Sequence, residues 1–169
     1  MRFRFAAVAL LLAACNPTFN WRDVRVEPSM LKATLPCKPE QASRTVPMAG
    51  RQVELKVLGC AAGGASFALL SGDIVDPLRA GEVLAQWKSA TLTNLRSSGS
   101  TDRPFLPTGA MALPQSVRVV AQGLRADGSK VHSQAAYFAR GSQVFQAVIY
   151  ADLIDPQAAD PFFAALGFE

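Results

Sequence analysis

The chain has 169 residues, 17 Lys+Arg against 13 Asp+Glu, and half of its residues are hydrophobic. That is the length of one domain of ordinary size, with enough apolar material for a real core. Arg2 and Arg4 stand ahead of the first apolar run, so without them the excess of +4 falls to about two; with no run of like charges, a nucleic-acid surface is not indicated and no nucleic-acid partner is expected.

Residues 1–14 open with Arg2 and Arg4, continue as an apolar run from Phe5, and end in Leu12-Ala13-Ala14 before Cys15. A basic start, a short apolar stretch and small residues before a cut form the layout of a secretory signal peptide. The run is shorter than the roughly 20 residues a membrane-spanning helix needs.

Leu12-Ala13-Ala14-Cys15 resembles the lipobox of bacterial lipoproteins. That resemblance implies a diacylglycerol on the Cys15 thiol, cleavage before it, and acylation, typically with palmitate, of the new amine. It implies a cell-envelope lipoprotein held by its lipid with the domain in the periplasm. Asn16, rather than Asp, follows the Cys and resembles the outer-membrane default. Residues 15–28 then read as a lipidated tether with Pro17 and Pro28 at its ends, and residues 29–169 as a single α+β domain.

Two further cysteines, Cys37 and Cys60, are an even pair in an exported, oxidising compartment. Their wide spacing, without a Cys-x-x-Cys motif, argues against a redox or metal pair. A Cys37–Cys60 disulfide is expected, contributing about 3 kcal/mol through the unfolded state.

Residues 30–35 read as a strand closed by Pro36 and Pro39, which stop a ladder. Residues 46–49 read as a short edge strand after a polar stretch. Residues 52–58 alternate Val53, Leu55 and Val57 with Gln52, Glu54 and Lys56, the period of a half-buried strand. A glycine-rich turn and a returning strand over 66–70 follow. Asp76-Pro77 opens a long helix, since Asp favours the N-cap and Pro suits the first helical position. Val83, Leu84, Trp87, Thr91 and Leu95 form its apolar stripe. Residues 100–114, with three prolines, read as a long irregular connection. Three strands over 116–124, 130–140 and 143–151 form a meander, the first pair joined through Asp127-Gly128, a strong hairpin signal. The last strand is apolar on both sides and is expected to be covered on both faces. Asp155-Pro156 repeats the cap-and-proline opening of a short terminal helix, which either starts late or kinks at Pro161 and ends at Gly167.

The expected fold is therefore α+β: a mainly antiparallel sheet of about six strands, a long helix on one face and a short C-terminal helix on the other. The opening Leu31-Lys32-Ala33-Thr34-Leu35-Pro36, the strand around Val53, and the ending from Val144 through Ala158-Ala159-Asp160-Pro161-Phe162-Phe163 resemble the PsbP-like family of exported α/β/α sandwiches. That resemblance implies a binding or assembly role at membranes rather than catalysis, and it transfers no functional residue.

No catalytic set emerges. His132 is the single histidine and shares the parity of polar Lys130 and Gln134, so it reads as a surface residue rather than a general base. The Gly59–Ala65 stretch lacks the Gly-Lys-Ser/Thr of a phosphate loop and precedes a strand. Asp152, Asp155 and Asp160 lack calcium-loop spacing; capping explains Asp155 and offers a role for Asp160, and Asp73 and Asp76 read the same way. No metal ligand set and no cofactor motif is present. Phe105, Leu106 and Met111 in the 100–114 connection are a candidate partner-contact loop. The expected function is a membrane-anchored envelope lipoprotein with a non-catalytic binding or assembly domain, touching envelope proteins. The alternative is a small-ligand or lipid-binding periplasmic module, with its pocket between the sheet and the long helix near Trp87 or under the 100–114 connection.

Overall fold

A computed structural model describes residues 18–169. Ten strands alternate with two helices: β1 (Arg22–Val26), β2 (Leu31–Leu35), β3 (Glu40–Met48), β4 (Arg51–Ala62), β5 (Ala65–Asp73), α1 (Ala80–Asn94), β6 (Gly99–Pro104), β7 (Val117–Leu124), β8 (Lys130–Arg140), β9 (Gln143–Ala151), α2 (Pro156–Ala164) and β10 (Gly167–Phe168). They form two antiparallel sheets, a three-stranded one in the order β1-β2-β10 and a seven-stranded one in the order β3-β4-β5-β9-β8-β7-β6.

This corrects the expectation of a single sheet of about six strands forming an α/β/α sandwich. The strands that sequence periodicity does not show are those with little apolar alternation. β1 carries three charges in five residues, and only Val24 and Val26 touch the core. The first half of β3 is polar because it is an exposed edge. β6, inside what reads as an irregular connection, is exposed at every residue and ends on Pro104, as an outer strand can. β10 is two residues paired with β2. Residues 22–26, expected as tether, are thus part of the folded body through β2, with Val24 opposite Ala33.

Each face of the large sheet has its own core. On one face Phe67, Phe138, Phe145 and Ile149 meet Leu31 and Leu35 of the small sheet and Ala158, Phe162 and Phe163 of α2. On the other, Leu55, Leu70, Tyr137 and Val148 meet Ala80, Val83 and Leu84 of α1. β9 lies between β5 and β8 and is buried on both faces, which is why its sequence lacks alternation. Asp155 accepts from the Gln157 amide (2.9 Å) and caps α2 as expected, whereas Asp76 accepts from the Leu78 amide (3.0 Å) and caps a short turn over Pro77–Arg79 that leads into α1, which itself begins at Ala80 with no side-chain cap. α2 begins at Pro156 and continues through Pro161.

The register fixes the two ends of the large sheet. The Gly63–Gly64 turn, Ala151, the start of β8 and Leu124 share one end. The Ala49–Gly50 turn and the Gly141–Ser142 turn share the other. The Arg79 guanidinium donates to the Ala49 carbonyl at the second end. α1 runs from there to the first end, where the Leu124 amide donates to the Leu95 carbonyl at 2.8 Å.

Cys37 and Cys60 are bonded (S–S 2.00 Å, Cα–Cα 5.9 Å), as the cysteine count predicts. Among the described residues no helix is long and apolar enough to cross a membrane. Cys15 and the signal-peptide residues lie outside the described residues.

Candidate functional site: a groove beside the long helix

α1 covers the β8 side of the sheet and leaves the β3–β4–β5 side open, and a groove of about 1000 Å³ results. Leu55, Val57, Ala68, Leu70 and Val148 form its floor, and Trp87 of α1 stands as its wall, with its ring edge-on to Tyr137 at 6.3 Å. Alternation builds the floor: in β4, Leu55 and Val57 point to this face, while Leu58 and Cys60 reach the other core. Arg44 lies on the β3 rim, and Leu124, Arg125, Ala126 and Tyr150 surround the end nearest the Gly63–Gly64 turn.

Polar groups at depth are already paired. The Gln146 amide donates to the Tyr137 hydroxyl (2.9 Å) and to Thr91 Oγ1 (3.0 Å), and Thr91 in turn donates to the Trp87 carbonyl (3.0 Å). Burial pushes the Tyr137 hydroxyl up to about 12, and its bonds to Thr91 and Gln146 only partly oppose this. Burial also raises the Tyr150 hydroxyl, against a hydrogen bond with Ser133. Both phenols are therefore neutral at physiological pH. The described lining holds no carboxylate, histidine or cysteine. Arg44, Gln86, Asn94 and Arg125 line it beside the aliphatic floor, which can enclose apolar surface.

The other expected site residues do not converge. Phe105 packs between Phe138 (6.3 Å) and Phe163 (6.1 Å), on the face away from the groove. Met111 lies against the core beneath α1, and its amide donates to the Ala139 carbonyl at 2.8 Å. Leu106 is the exposed member of the three, at 56%. His132 Nδ1 donates to the Asp152 carbonyl at 2.7 Å and has no acidic partner there, since Asp152 pairs with Arg125 at 2.7 Å. Among the described residues no group of three or more His, Cys, Asp or Glu gathers to hold a metal. Asp73 accepts from the Val75 amide (2.8 Å) and from Gln143 (2.7 Å).

Two features escape sequence inspection. Gln146 is an isolated amide in an apolar strand; a lone polar residue in such a run is itself a signal that a buried partner exists. Arg118 is buried, lies 3.9 Å over the Phe163 ring, donates through Nε to Gln134 at 3.1 Å, and stands 3.6 Å from Asp160. Burial first, and then Arg103 beside it, pull its pKa down, while Asp160 opposes. Its partners make it a strut between β7 and α2.

Protein-family models give no match to this chain, and none of the curated proteins is similar to it in sequence.

Proposed function

We propose that this protein is a membrane-anchored, non-catalytic binding domain of the cell envelope that takes a small apolar ligand in the groove beside α1. The observation that carries the binding half is the groove itself: about 1000 Å³, floored by aliphatic side chains, with its deep polar groups bonded to one another. Sites for apolar ligands have this size and lining. The anchoring half rests on Leu12-Ala13-Ala14-Cys15. Assembly through the 100–114 segment has less support, because Phe105 and Met111 are engaged with the cores.

Native mass spectrometry of the full chain, gently extracted from membranes, tests the reading. A copurifying small molecule that Ala68→Phe excludes is the expected result. A ligand-free mass across extraction conditions would remove the groove as the binding site.

A further inference from the structure

The groove has a direction relative to the anchor. Thr18 and Phe19, the first described residues, lie against Gly63 at the end of the large sheet that Leu124, Arg125, Ala126 and Tyr150 of the groove also share, with Phe19 packed on the opposite face. The Phe19 ring lies so close to Gly63 that a Cβ there would come within 2.7 Å of it. The Asn20 amide donates to the Pro36 carbonyl at 2.8 Å and fixes the chain beside β2. From Cys15 to Thr18 the backbone spans at most about 10 Å. A lipid on Cys15 would therefore hold this end of the sheet, and the Leu124–Tyr150 end of the groove with it, near the bilayer surface.

We infer that the groove receives an acyl chain of a phospholipid drawn from the membrane in which the protein is anchored. This rests on the reading of Cys15 as lipidated and of the groove as the binding site. Two further observations specify the occupant. The floor is aliphatic from Leu55 to Val148, with no unpaired buried donor or acceptor among the described lining, which suits a hydrocarbon chain at depth, while Arg44, Gln86, Asn94 and Arg125 bring polar groups to the rim. Two arginines stand at this end of the sheet. Arg96 donates to the Arg125 carbonyl, while Arg125 donates to the Lys130 carbonyl at 2.6 Å and pairs with Asp152 at 2.7 Å. A headgroup phosphate left at the surface would meet Arg96 and compete with Asp152 for Arg125, with its acyl chain running along the floor past Tyr150. Tethering raises the effective lipid concentration, so weak affinity suffices.

Trp87 is a reporter inside the groove. In the full chain carrying Trp21→Phe, it is the only tryptophan left. This protein, purified from membranes and reconstituted in phosphatidylcholine–phosphatidylglycerol vesicles, is compared with and without bromine on the acyl chains. The expected result is quenching of Trp87 by the brominated lipid, lost when Ala68→Phe fills the floor and lost likewise in Val57→Lys, with both variants melting as cooperatively as the parent. The mass of the mature chain is read on the same sample. A lipidated mass without quenching overturns the acyl-chain inference and leaves the anchor standing. An unmodified Cys15 overturns the anchor and this route together. Quenching by added brominated fatty acid but not by brominated vesicles also overturns it, because the source is then not the bilayer.

Discussion

At Gly123 of β7 a missing side chain decides how closely the C-terminal end of α1 approaches the sheet. A Cβ there would lie 2.2 Å from the Leu95 carbonyl oxygen and 2.5 Å from its Cγ. Gly123→Ala is expected to push the helix end away, at a cost of about 2 kcal/mol or more by the measure of overpacked cores, read as a lower denaturant midpoint. Tyr137 makes a second test. Its hydroxyl titrates near 10 in the unfolded chain and at about 12 when folded. The raised value means its stabilising contribution is complete below pH 10 and is lost as pH rises from 10 through 12. At full development that loss is about 2–3 kcal/mol. Tyr137→Phe should flatten the alkaline fall in stability. At neutral pH it should cost only about 1 kcal/mol, for the Gln146 donor left unpaired.

At the scale of elements, strands become visible in the sequence through one wet and one dry face or through the turn chemistry that joins them. β4 alternates because Val53 and Leu55 are buried while Gln52, Glu54 and Lys56 are exposed. β7, β8 and β9 show through their hairpin chemistry. The turn leading into α1 and the start of α2 are visible because Asp-Pro carries its own mechanism at Asp76 and Asp155. β1 and β6 are hidden because pairing to one neighbour demands no apolar pattern, only backbone groups, and β10 because it is two residues long. The groove was half legible: Trp87 marks its helix wall, but no local pattern reveals that α1 leaves β3, β4 and β5 uncovered, since that depends on where a helix crosses a sheet. The cysteine pair was legible by count alone. Replacing both Cys37 and Cys60 with Ala should lower stability by about 3 kcal/mol, the cost of freeing a loop of this length in the unfolded chain, measured by chemical denaturation.

For the whole molecule, the two cores lie on opposite faces of one sheet and differ in how completely they are covered. The face holding Phe67, Phe138 and Phe145 is sealed by the small sheet and α2, whereas the α1 face is left partly open. Substitutions on the sealed face should change melting temperature without touching ligand retention, and Ala68→Phe should do the reverse. Cys15→Ala should release the domain from membranes or leave an uncleaved precursor. If fractionation instead finds a shortened chain still with the membrane, lipid anchoring at that position is wrong.

The Cys37–Cys60 bond, with a sequence separation of 23, also shapes how the molecule would respond to tension. Force applied from the N-terminal side would unzip β1 from β2 and then arrive at Cys37, where it crosses directly to Cys60. β3 and most of β4 lie between these cysteines and would carry no load. Optical-tweezer traces should therefore show a full extension shorter by about 80 Å in oxidised than in reduced protein, at roughly 3.3–3.6 Å per residue. Tension entering from the N-terminal side would thus leave the strands that floor the groove's outer half slack.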